Sequence, residues 1–404
     1  MNSSYNFEEV SIWSYLSSIL YQQMPDQRPI NIDDFMIFFK IYENPQLEEA
    51  FVDTFGSDVK TLFNHIFLIY VLYMDAIFIN WPPKVNGVKF DIRILAKIFA
   101  KISMDIQDHR SMGRKHSLVD NTEKFRISTF VSKPITVIKI GEPEIWCPFV
   151  GHLIRRLTYG LYYDLIEHDQ FKNYIGYAFE QYIGNVITAA SSRAWYIYKE
   201  AVSGRKKPKS SVDWLVADAD VALFIECKFR RPLLDSKTEP TNEAAIRRDL
   251  GVYASFVAQA IIAAEREHAG LFDRDLPPDS RYIMIVTPED WHILSSAKHI
   301  EVDEMCAQEL ELKGYDRKIA ENYIVLNAGA KSFELFVQAA NHFGLSEVLK
   351  THASENHRND FTSGFVVNNY VGVDGFEPQS IWRSEFDKVF DLSGLIDRDV
   401  ATDI

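Results

Sequence analysis

Three features of the amino-acid sequence predict an α/β core behind a mainly helical N-terminal region. Residues 212–217 and 221–229 are β-forming apolar runs separated by Asp218, Ala219 and Asp220, the composition of a hairpin and its turn. Apolar residues recur at helical spacing on both sides of that hairpin, over 174–190 and 242–268, and the runs 282–287 and 323–326 read as further strands. Ahead of residue 105 the pattern is helical almost throughout.

The N-terminal elements follow in order. Asp33 and Asp34 precede an amphipathic run over 35–42, where the helix dipole favours acids. Asn44-Pro45 breaks it, 46–55 resumes, and Gly56 ends it. Residues 62–79 are very apolar, but Asn64, His65 and Asp75 interrupt them. A core helix is expected there, because a membrane span needs about 20 apolar residues. Trp81-Pro82-Pro83 closes that helix, and 91–104 is another, with Ile92, Leu95, Ile98 and Phe99 on one face. No helix-turn-helix is apparent. Residues 1–133 therefore read as a helical accessory domain for positioning, regulation or contact with a protein partner or a second copy. It ends in a polar stretch, 105–133, expected to be irregular. His109 and His116 there could ligate a metal, but without paired spacing or a nearby cysteine a solvated loop is the expectation. Arg110, Arg114 and Lys115 of that loop could touch phosphates.

Residues 134–350 read as the core. It opens with a strand at 135–140 and a helix at 152–166, and a helix at 331–343 follows its last strand. Residues 351–404 form a C-terminal extension with a strand expected at 365–370 and short packing elements at 382–390 and 392–396, to which no chemistry attaches.

With 404 residues and 47% hydrophobic content, the chain has material for a large core and a length prior of two or three domains. Cys147, Cys227 and Cys306 are far apart and form no CxxC pair, which argues for a reducing compartment and against a zinc ribbon. The N-terminus lacks a basic segment followed by an apolar one, so a cytoplasmic protein without a secretory signal is expected. No GxxxxGK loop, GxSxG elbow or HExxH pair occurs; residues 203–210 are basic but hold one glycine.

The hairpin carries the chemistry. Its apolar strands contain Asp213, Glu226 and Lys228, and an unpaired charge in a buried strand is destabilising. Side chains alternate along a strand, so Glu226 and Lys228 share a face and Cys227 points away. A reversal centred between Ala219 and Asp220 puts Asp213 opposite Glu226, with Cβ atoms roughly 4.5 to 5.5 Å apart. Two carboxylates so close repel unless a proton or cation lies between them. Magnesium or manganese suits such hard oxygen donors. Asp218 and Asp220 are read as turn residues without a catalytic role.

At these residues the chain resembles the PD-(D/E)xK nuclease superfamily, with Asp213 on one strand and Glu226-Cys227-Lys228 on the next. Val212 stands where the family name has Pro. The resemblance covers residues 170–345 and implies a restriction-endonuclease-like core, a mixed central sheet flanked by helices. It also implies that Asp213 and Glu226 bind Mg2+ or Mn2+ with help from the Cys227 carbonyl, and that Lys228 orients or activates the water. Glu180, within the 174–190 helix, matches a helical Glu that often reaches the metal in this superfamily. Gln259 is weaker, because the Tyr that some relatives carry four residues later is Ala263 here.

A net charge of −14 does not by itself favour a nucleic-acid binder. Distribution matters more. Residues 193–248 hold twelve Lys plus Arg against eight Asp plus Glu. Arg205, Lys206, Lys207 and Lys209 precede the Asp213 strand, and Arg230 and Arg231 follow Lys228, so both clusters are candidates for backbone contact, weighed against a solubilising loop. Arg247 and Arg248 could add to them, although solvated helix charges are the commoner case. The expected activity is Mg-dependent phosphodiester hydrolysis by an endonuclease, of DNA more than RNA, with restriction or anti-phage defence implied by family analogy alone. The alternative is a nucleic-acid-binding or regulatory interaction protein that keeps the fold without turnover.

Overall fold

The computed structural model describes residues 32–84, 88, 90–117, 128–139, 143–191, 194–204, 208–233, 236–237, 242–292, 294, 296–358 and 360–390. The described residues divide into two compact units, residues 32–178 with 382–390 and residues 179–381.

In the first unit, α1 (Ile32–Tyr42), α2 (Glu48–Phe55) and α3 (Val59–Met74) are punctuated as their sequence requires. Gly56 ends α2 at φ 78°, and Asp58 caps α3 by accepting from Thr61 N at 2.8 Å. Phe35, Tyr42, Phe51, Phe63 and Ile66 are buried, so residues 62–74 of the apolar stretch lie in a core helix, whereas the helix expected to run to 79 stops at Met74 and Phe78–Asn80 form a strand. Among the described residues no helix is long and apolar enough to cross a membrane. Phe386 and Phe390 pack their rings on Phe67 of α3, at 5.7 and 4.9 Å.

This unit is not wholly helical. β1 (Phe78–Asn80), β2 (Ser103–Asp105), β3 (Ile135–Lys139) and β4 (Pro143–Trp146) form a sheet in the order β1-β4-β3-β2. α4 (Ile92–Ile102) precedes β2, and α5 (Ile106–Ser117) occupies ground expected to be irregular. His109 on α5 is buried against the Phe130 ring at 4.6 Å, with Nδ1 2.8 Å from Thr129 Oγ1, so it is a packing residue and not part of a solvated loop. The helix expected at 152–166 is two, α6 (Val150–Leu157) and α7 (Leu161–Leu165). Gly160 between them comes so close to Arg156 that a Cβ there would lie 2.4 Å from its carbonyl oxygen.

α8 (Asp169–Ala190) crosses the division at Phe179. In the second unit it is followed by β5 (Tyr196–Lys199), the small pair β6 (Val202–Ser203) and β7 (Lys209–Ser210), then β8 (Trp214–Ala217) and β9 (Val221–Cys227). α9 (Glu243–His268), β10 (Asp279–Thr287), α10 (Ser296–Leu312), β11 (Ile324–Gly329) and α11 (Ala330–Phe343) complete the core. The sheet runs β11-β10-β9-β8-β5. β9, β10 and β11 are parallel, and β8 pairs antiparallel with both β9 and β5, so the fold is a mixed α/β. α9 lays Leu250, Ala254, Ala258 and Ile261 against Phe224, Ile283 and Ile285 of the sheet, its alanines allowing close approach.

Beyond α12 (Leu345–His352), the segment expected as a strand at 365–370 is α13 (Thr362–Asn369). Its buried Phe365 stacks on His352 at 4.1 Å, a helix-to-helix contact that β-branched neighbours disguise in sequence. The 392–396 element lies outside the described residues.

Candidate active site

The β8–β9 hairpin has the register that a reversal between Ala219 and Asp220 demands, from Ala217↔Ala222 to Trp214↔Ile225. Asp218 fixes the turn, its Oδ1 accepting from Asp220 N and Val221 N at 2.9 Å each. The ladder stops one residue short of Asp213, whose Oδ2 accepts from Cys227 N at 2.6 Å. Glu226 and Lys228 stand at the carboxyl end of β9, and Lys228 N donates to Val286 O at 2.8 Å, carrying the pairing with β10 past Glu226.

Glu226 is the most buried of these groups, 2% exposed. Lys228 Nζ lies 2.6 Å from its Oε1 and over the Phe256 ring at 5.8 Å. That contact is a close ion pair between a buried carboxylate and a partly buried ammonium. Glu180, on α8, is positioned by Trp214, whose Nε1 donates to the Glu180 carbonyl at 3.0 Å. Gly184, one turn further along α8, makes this approach possible, because a Cβ there would sit 2.0 Å from the Trp214 ring. Lys199 Nζ, from the end of β5, is 3.6 Å from Glu180 Oε1.

Burial raises the proton affinity of all three acids, and the charge of Asp213 adds to it at Glu226 and Glu180. Burial and then the charge of Asp213 push Glu226 up to about 7, against the pull of Lys228. Burial raises Asp213, opposed by the Cys227 N–H and Lys228. Burial and Asp213 raise Glu180, opposed by Lys199. Burial lowers Lys228, but Glu226 and Asp213 outweigh it and hold the ammonium charged. Such a cluster is relieved by a proton or a cation, and its donors are hard oxygens. Among the described residues no three His, Cys, Asp or Glu side chains stand close enough to ligate one ion. An ion held by Asp213 and Glu226 would need further donors from main-chain oxygen, water or substrate, as magnesium commonly accepts.

The basic residues fare differently. Arg205, Lys206 and Lys207 lie outside the described residues, and Lys209 is exposed on β7. Arg230 is half-buried, its N–H donating to Lys228 O at 2.7 Å. Arg231 is not available to a phosphate backbone: it is 7% exposed and pairs with Glu289 through Nε and Nη2, both at 3.1 Å. Lys237 also bonds Glu289 from a buried position. Arg247, Arg248 and Gln259 are exposed on α9.

Lys199 and the Glu289 cluster are missed in the sequence. Tyr196 and Tyr198 alternate at the β period and could have flagged β5 and its terminal lysine. Glu289 lies two residues past the end of β10, but its partners lie more than fifty residues away, beyond any local pattern.

No family model matches this chain, and no curated protein matches it. A solved structure that it resembles is the small subunit of a heterodimeric restriction endonuclease, with TM-score 0.26 and 14% identity over 48% of this chain and 87% of that one. A likeness at that score carries no functional weight.

Proposed function

We propose that this chain is a metal-dependent nuclease of the PD-(D/E)xK type, an endonuclease hydrolysing phosphodiester bonds of DNA in preference to RNA. The observation that carries the reading is the meeting of Asp213, Glu226 and Lys228 at the carboxyl end of β9, where the buried Glu226 is paired with Lys228 and Asp213 accepts from Cys227 N. Open α/β sheets commonly bind ligands at the carboxyl ends of their strands. Asp213 and Glu226 hold Mg2+ or Mn2+, with the Cys227 carbonyl as a further donor and Glu180 completing the acidic wall. The ion supplies electrophilic polarisation of the scissile phosphate. Lys228, kept charged beside Glu226, positions the attacking water and offsets charge developing on the phosphate oxygens. Glu226 and Asp213 also orient that water through their lone pairs. A role in restriction or anti-phage defence rests on the family resemblance alone.

A second reading, a nucleic-acid-binding or regulatory protein without turnover, draws on the lack of a third converging ligand among the described residues. Lys228→Ala decides between the two. A nuclease loses about 100-fold or more in kcat when such a charge-stabilising group is removed, at unchanged fold. A binder shows no metal-dependent cleavage in either form.

A further inference from the structure

The main chain that leaves β9 is pinned on both sides of Arg230. Before it, Lys228 N donates to Val286 O at 2.8 Å and Phe229 sets its ring edge-on to Phe179 at 5.4 Å. After it, Arg231 pairs with Glu289 through Nε and Nη2, both at 3.1 Å, and Leu233 N donates to Asp249 Oδ2 at 2.7 Å. Ser236 and Lys237 bond the same two acids, which are buried. Arg230 therefore starts from a fixed place.

Its side chain is not held in the same way. The Arg230 N–H bonds Lys228 O at 2.7 Å, but among the described residues its guanidinium makes no hydrogen bond and no ion pair. Nε is shut away from water without an acceptor, in a half-buried residue. The cations around it differ: Lys228 lies against Glu226, Arg231 against Glu289 and Lys199 against Glu180. The charges that chiefly act on Glu180, Asp213 and Glu226 are Lys199, Lys228, Glu200 and Asp213 itself, so Arg230 stands aside from the reacting centre.

A donor of a charged group withheld from water without an acceptor costs folding free energy, and it calls for an acceptor that arrives later. That acceptor is an anion, because the guanidinium stays charged, and the planar fork matches two oxygens of a phosphate. Resting on the nuclease reading for the reaction but not for the contact, we propose that Arg230 binds a phosphodiester of the nucleic-acid backbone beside the one at Asp213 and Glu226. The clamped main chain makes it a preorganised donor, so little ordering remains to be done on binding.

Arg230→Met, which keeps an apolar stem, and Arg230→Lys test this in the full chain. Thermal unfolding of Arg230→Met in EDTA without DNA is expected at the wild-type temperature or above it, since an orphaned donor is removed and no partner is lost. Binding of a labelled DNA duplex is followed in magnesium with Lys228→Ala, where cleavage is expected to be lost. Adding Arg230→Met weakens it about tenfold or more and lowers the slope of log affinity against log salt by about one. Adding Arg230→Lys instead keeps the slope but recovers only part of the affinity, because a single ammonium lacks the fork. In cleavage by the otherwise wild-type chain, the loss in Arg230→Met falls chiefly on KM.

Unchanged affinity and salt slope in Arg230→Met overturn the assignment alone. So does a melting temperature several degrees lower, which makes Arg230 a structural residue. Duplex binding that depends on Arg230, in a wild type that cleaves no nucleic acid, overturns the nuclease reading and leaves the phosphate contact standing.

Discussion

Glu226 makes the metal-free protein weaker as pH rises. The carboxyl is 2% exposed, and its folded-state pKa is raised from the ordinary 4.5 to about 7. A group whose pKa is raised on folding stabilises fully below its unfolded value and loses that contribution as pH rises through the folded one. The window is therefore from about 4.5 to about 7. At 1.36 kcal/mol per pKa unit, the loss across it is about 3 kcal/mol. Glu226→Gln cannot ionise, so its unfolding free energy relative to wild type rises by about 2 to 3 kcal/mol between pH 5 and pH 8. Easing of Asp213 in the variant acts in the same direction. Urea unfolding of both proteins in EDTA at several pH values measures the difference. Magnesium at pH 8 narrows it by stabilising the wild type, because an ion between the carboxylates replaces the missing proton. A difference that stays flat from pH 5 to pH 8 refutes the picture of mutually repelling buried acids.

Two further substitutions probe the supports of the site. Gly184→Ala places a methyl 2.0 Å from the Trp214 ring, and forcing α8 off β8 is expected to cost about 1 to 3 kcal/mol despite alanine's higher helix propensity. A lower melting temperature with altered tryptophan fluorescence is the expected result; an unchanged or raised one contradicts the packing described. Glu289→Gln leaves the buried Arg231 and Lys237 without their shared carboxylate, for which a loss of about 3 to 5 kcal/mol is expected. Denaturant unfolding reads it, and a loss below about 1 kcal/mol would mean that the cluster behaves as a solvent-exposed pair.

Legibility in the sequence followed the range of the interactions. The hairpin register could be read because an apolar run with period-2 charges permits few pairings, and Asp218 needs only its next neighbours to make the turn. The helix α9 over 242–268 was equally plain, whereas the apolar 62–79 run, read as one helix, ends at Met74 because its last residues pair as a strand. Of the sheet β1-β4-β3-β2 only β3 was legible, because strands of three or four residues show no period. α5 is polar along most of its length, and its buried His109 packs against Thr129 and Phe130, which lie beyond a stretch outside the described residues. At the site, Asp213, Glu226 and Lys228 are close in sequence and their meeting follows from one hairpin. Lys199 reaches Glu180 only because β5 pairs with β8, and Arg231 is drawn inward by a glutamate fifty-eight positions later.

The central claim is that Asp213, Glu226 and Lys228 form a metal-dependent phosphodiesterase centre. The direct measurement is incubation of the wild type, Asp213→Ala and Lys228→Ala with supercoiled DNA, linear DNA, single-stranded DNA and RNA, in magnesium, manganese or EDTA. Cleavage that requires the metal and disappears in both variants, with DNA cut in preference to RNA, is the predicted result. Cleavage that persists in EDTA or in the variants, or none in any condition together with no metal binding by the wild type, contradicts it.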